Sequence, residues 1–128
     1  MSQTVKAIRI HETGGPDVMR WENVDVNEPQ SGEVLIRHTF AGLNFIDINH
    51  RAGTYPLTSL PAIIGMEAAG EIEAVGDGVT MFAPGDRVAH CMNVGAYSEK
   101  MIIGADRLIR LADHTSDEVA AAATLQGL

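Results

Sequence analysis

Three kinds of residue in this chain could carry chemistry by type: its histidines, its cysteine and its glycine-rich turns. The histidines are His11, His38, His50, His90 and His114. No two fall at the short helical spacing that brings ligands to one metal, and a lone histidine is more often a surface or packed residue than a ligand. The reading is therefore no metal. Cys91 is the only cysteine and directly follows His90. On a strand the two side chains would leave on opposite faces, which argues against a Cys/His nucleophile. Gly76-Asp77-Gly78 comes nearest to the glycine turn that cradles a dinucleotide phosphate. Met81 stands where the third glycine would be and no long helical pattern follows, so the segment reads as a turn.

The elements that must position any site follow from pattern. Pro61 to Gly76, PAIIGMEAAGEIEAVG, has Gly65 and Gly70 bracketing small residues, as where backbone must approach something closely, and Glu71 to Val75 then alternates like a half-buried strand. Val5–Ile10 and Val18–Asn23 read as paired strands about a turn-rich link. Glu33–Ala41 is the clearest strand, with Val34, Ile36, His38 and Phe40 expected on one side. Asn44 sits where a helix N-cap is wanted, and Gly53 is the matching stop. Thr54 to Pro61 is a proline-bounded loop. Arg87–His90, Tyr97–Ile103 and Leu108–Leu111 add three short strands, a spacing that suggests a barrel or sandwich of mainly β class. Thr115-Ser116-Asp117-Glu118 matches a capping box, and Val119 to Leu128 should be the helix it starts. That helix has no polar tail after Gln126-Gly127-Leu128, so the chain reads as cut.

Composition narrows the function. One core is expected in 128 residues with 45% hydrophobic and 20% charged residues. A net charge of -8 argues against nucleic acid, whose affinity rests on cations that neutralise phosphate. A single cysteine excludes an intrachain disulfide framework and suits a reducing compartment. No apolar run is long enough to span a bilayer, and MSQTVKAIRI lacks a signal-peptide layout. The expectation is a cytoplasmic protein with no membrane partner.

From Arg37 through Gly127 the runs GLNFIDINHRAGTYP, PGDRV, GAYSEK and AAATLQGL follow one pattern. They resemble the zinc-free quinone oxidoreductase (zeta-crystallin-like) branch of the medium-chain dehydrogenase/reductase superfamily. The resemblance implies a GroES-like, partly open β-barrel with short helices as catalytic domain, residues 1–114. Residues 115–128 would begin a helix leading to a Rossmann domain that binds NADPH, which is absent here. In zinc-dependent relatives a cysteine and a histidine hold the metal; Asn44 and Met66 match those places, so no zinc is implied.

By the same resemblance Asn44 donates to a substrate carbonyl or the nicotinamide side, although its other reading is a helix cap. Tyr55 matches a tyrosine near the quinone and nicotinamide, or else packs its loop. Asp47 matches a family position on the short helix, or is an ordinary exposed first-turn carboxylate. Asn44 and Tyr55 are expected to face one cleft, and Asn44→Ala to spare stability. Glu67 and Arg87 read as ion-pair or turn residues. The implied reaction is hydride transfer from NADPH to a quinone or related electrophilic small molecule by a homo-oligomeric full-length enzyme, with this stretch inactive alone. Two alternatives stay open: a zinc-free reductase of enones or enoyl thioesters, and a GroES-like binding module without catalysis.

Overall fold

Alternating apolar positions in short runs give eight strands, and a computed structural model describes residues 2–125 of them and their links. In chain order these are β1 (Gln3–Ile10), β2 (Met19–Val26), β3 (Glu33–Ala41), helix α1 (Phe45–Ala52), β4 (Ala62–Ile63), β5 (Glu67–Val75), β6 (Arg87–Cys91), β7 (Lys100–Gly104), β8 (Ile109–Arg110) and helix α2 (Asp117–Ala123). The sheets run β2-β1-β4 and β7-β3-β5-β6-β8, with every described pairing antiparallel. Among the described residues no helix is long and apolar enough to cross a membrane.

The segment 97–99 joins the two sheets. Ile8 N–H donates to the Tyr97 carbonyl at 2.8 Å, Glu99 N–H to the Lys6 carbonyl at 2.9 Å, and His38 N–H to the Glu99 carbonyl at 2.8 Å. One strand-like piece thus bonds β1 on one side and β3 on the other. This is why the strand expected from Tyr97 resolves into a junction followed by β7 from Lys100.

Val34, Ile36, Ile72, Phe82, Val88 and Ile103 fill the barrel interior. The opposite face of β3 sends Leu35 into a second cluster with Val5, Ala7, Val24 and Val26 from β1 and β2. Ala69 and Ala89 form a third with Ala120 and Ala121 of α2. Small residues there let a helix lie close to the sheet. A shift in the β3–β5 register between His38 and Phe40 interrupts the alternation. Phe40 pairs with Ala69, is 45% exposed and lies beside His38 in a surface groove.

Helix α1 ends as read, with Gly53 left-handed at φ 88. Helix α2 begins earlier than Val119, because Ser116 rather than Thr115 is the cap and its hydroxyl accepts the Val119 N–H at 3.2 Å. The part of the expected helix at 126–128 lies outside the described residues. Arg87 is an ion-pair residue as expected: its guanidinium meets Asp117 at 2.6 Å and ties β6 to the start of α2.

Candidate active site

The first turn of α1 carries the polar groups of the site. Asn44 is the N-cap, extended at φ -137 and ψ 156, and its backbone N–H donates to Oδ2 of Asp47 at 3.1 Å. Its carboxamide Nδ2 donates to Oε1 of Glu67 at 2.9 Å. Glu67 opens β5 at 1% exposure, and its Oε2 accepts the Leu125 N–H at 2.6 Å. Both of these partners are neutral N–H groups, so Glu67 is structural through hydrogen bonds rather than through an ion pair or turn. Gly42 makes room for it, since a Cβ there would sit 2.6 Å from Glu67 Oε1 and 2.2 Å from the Ala121 carbonyl oxygen.

Asp47 is buried at 4% exposure, against the expectation of an ordinary exposed carboxylate. Its Oδ2 also accepts the phenol O–H of Tyr97. Its Oδ1 is buried and has no hydrogen-bond partner among the described residues. A carboxylate oxygen in that position costs free energy until a donor reaches it. Tyr97 in turn packs on Gly65, where φ is 104 and an added Cβ would lie 2.4 Å from the tyrosine ring. Burial first, then the hydrogen bond and charge of Asp47, push the Tyr97 phenol upward, so it stays a proton-bearing donor. Nothing in local spacing links position 97 to position 47, and the sequence offers no signal for the pair.

Asn44, Asp47 and Tyr97 share the wall of a cavity of about 520 Å³ whose other lining is mainly apolar, with Leu43, Phe45 and Ile48 from the α1 end. Leu43 and Phe45 are 83% and 85% exposed, so the mouth is a greasy lip. Chemically, this is a place for a flat apolar ring with one polar edge turned to Asp47. Tyr55 is outside that lining: it is 55% exposed and its backbone N–H donates to the Asn49 carbonyl at 3.2 Å. The structure thus brings Asn44 and Asp47 to one cavity wall, and Tyr55 is not among the residues that line it.

Two histidines that looked isolated are in contact, with His38 Nε2 2.9 Å from His90 Nε2. Among the described residues no group of three or more His, Cys, Asp or Glu side chains is placed to hold a metal ion.

Comparison with known proteins places this geometry in a family. The alcohol dehydrogenase GroES-like domain profile matches residues 30–113. A quinone oxidoreductase of Pseudomonas aeruginosa is 44% identical over 124 residues, 96% of this chain and 38% of that protein. A 2-haloacrylate reductase of a Burkholderia species is 45% identical over 111 residues, 84% of this chain and 33% of that protein. The crystal structure of Escherichia coli quinone oxidoreductase complexed with NADPH superposes with a TM-score of 0.92 at 39% identity, covering 95% of this chain and 38% of that one. The chain therefore spans less than two-fifths of the length of these relatives.

Proposed function

Because the chain belongs to the alcohol dehydrogenase GroES-like domain family, we propose that it is the catalytic-domain part of a zinc-free, NADPH-dependent quinone oxidoreductase. On this reading residues 1–114 are that domain and 115–128 begin the link to a nucleotide-binding domain. The enzyme would be cytoplasmic and homo-oligomeric. The observation that carries the proposal is an apolar cavity beside Asn44 and Asp47 in a chain 44% identical over nearly all its length to a quinone oxidoreductase.

The residues fit one end of the cofactor. Bound NADPH would supply a hydride, and Asn44 and Asp47 on the cavity wall are the polar residues its nicotinamide end would meet. The phosphate end has no glycine cradle among the described residues, so tight nucleotide binding is not expected of this chain alone. Leu43 and Phe45 offer the acceptor ring an apolar platform. Asn44, tied to Glu67 and Asp47, fixes the start of α1 beneath that platform. Tyr55, outside the cavity lining, would act from the loop side. Zinc does not fit: the Asn44 amide nitrogen is committed to Glu67, and Met66, in the place of a ligand histidine, is 5% exposed.

A second reading, reduction of another activated double bond, draws support from the 2-haloacrylate reductase likeness. Titrating the ¹⁵N-labelled chain with a fully substituted quinone and, separately, with an acrylate tests both. Saturable shifts at Asn44, Phe45, Ile48 and Tyr97 with the quinone alone support the first reading, and with acrylate alone the second. No saturable shift at millimolar ligand overturns both and leaves a non-catalytic module.

A further inference from the structure

His38 on β3 and His90 on β6 are not sheet neighbours, since β5 lies between them. They meet over it because their partners on β5 are Gly70 and Ala68, which place almost nothing on that face. His38 Nδ1 lies 2.8 Å from the Ser98 carbonyl oxygen, so this nitrogen carries a proton and donates it. His38 Nε2 is then an acceptor, and His90 Nε2–H must be the donor across the 2.9 Å contact. That assignment leaves a bare lone pair on His90 Nδ1, buried and without a hydrogen-bond partner among the described residues. Neutral, the pair is a satisfied bridge except at that one atom.

We propose that the His38–His90 bridge is a proton-operated latch that holds β3, β6 and the joining segment 97–99 together while neutral and releases them when protonated. A proton can enter only at His90 Nδ1, where no acceptor among the described residues waits for the new N–H. A second would set two N–H groups against each other across the contact. Among the described residues no counter-charge faces the bridge. On its own face of the sheet its neighbours are Ala68 and Gly70 of β5 and Val88 of β6, and Ala96 and Ser98 share a groove with His38. Arg37, Glu67, Glu71, Arg87 and Cys91 stand at alternate strand positions and project to the opposite face. Arg37 pairs there with Glu71 at 2.9 Å, and Arg87 with Asp117. Glu99 turns its carboxylate to the Lys6 N–H, and Tyr97 turns its phenol to Asp47.

Burial holds both imidazoles below the ordinary 6.5, His90 down to about 3 with the His38 charge adding to the effect. A depressed folded value means the unfolded chain takes the proton first. Stability is thus whole above about pH 6.5 and falls as the pH drops toward 3. The segment that opens carries Tyr97, so the latch bears on the Asp47 cavity at one remove.

The test uses the 128-residue chain. Nitrogen-15 spectra of the imidazoles at pH 7.5 should show Nδ1–H on His38 and Nε2–H on His90, both rings neutral. Between pH 6.5 and 5 the unfolding equilibrium should shift by up to tenfold per pH unit for each proton taken up. His90→Gln, whose amide can still donate to His38 but cannot titrate, should show a distinctly flatter profile. Amide exchange at 95–99 should rise on acidification before exchange in β1 and β2. The proposal falls if either ring is charged at pH 7.5, or if wild type and His90→Gln share one pH profile. Should His90→Gln not fold, the tautomers and the order of exchange in the wild type decide alone.

Discussion

Asn44, the cap of α1, is hydrogen-bonded through its side chain to Glu67, a carboxylate buried at the start of β5. The helix and the barrel are therefore fastened at one amide. Asn44→Ala should lower unfolding free energy by roughly 1 to 3 kcal/mol, because it strands a buried carboxylate oxygen as well as removing a cap. Urea denaturation measures this, and a loss below experimental error would show the bond to be idle. The Glu67 bond is the reason a loss is expected here, where the sequence alone led to the expectation that this substitution spares stability.

Tyr97→Phe removes one donor from Asp47 Oδ2 and leaves the Asn44 N–H as its remaining one. A loss of about 1 kcal/mol is expected, with amide shifts propagating to residues 44–48. A purely packing role for Tyr97 would instead keep the α1 amides in place, since phenylalanine fills the same space against Gly65.

Asp117 joins α2 to the barrel by accepting from Arg87 and Thr39. Burial pushes its carboxyl upward, but the Thr39 hydroxyl and the Arg87 guanidinium outweigh that and hold it below the usual range. Its contribution is present at neutral pH and lost as the pH falls through the folded value. Asp117→Asn should cost about 1 kcal/mol near pH 7. The gap between variant and wild type should close in acid; a gap independent of pH would mean that charge is not involved.

Phe45 touches solvent over most of its surface. Phe45→Ser should leave stability within about 0.5 kcal/mol while weakening quinone binding severalfold. Unchanged affinity in the same NMR titration would remove the apolar lip from the proposed site.

What was readable in the sequence was local. The strand at Glu33–Ala41, the Asn44 cap position and the Gly53 stop each involve residues within a few positions, and each recurs in the structure. The polar contacts of the site were not readable, because they join positions far apart: 44 with 67, 47 with 97, 38 with 90. The bulge after His38 shows the same limit, since one extra residue on β3 shifts the partner of Phe40 to Ala69 without leaving any mark in the sequence. Gly65 could be read as a close approach, but not what approaches it.

The seam at 97–99 also bears on how the chain is made. One edge of β1 is shared, with β4 taking Arg9 and Ile10 and the seam taking positions 6–8. Lys6 and Glu99 are 93 positions apart, so this edge of β1 stays open until residue 99 has been made. Until then its backbone is an open edge that a seam from a second copy could occupy as well as its own. Exchange of residues 95–104 between two chains is the assembly error this fold invites, and slow, dilute synthesis is the condition that disfavours it.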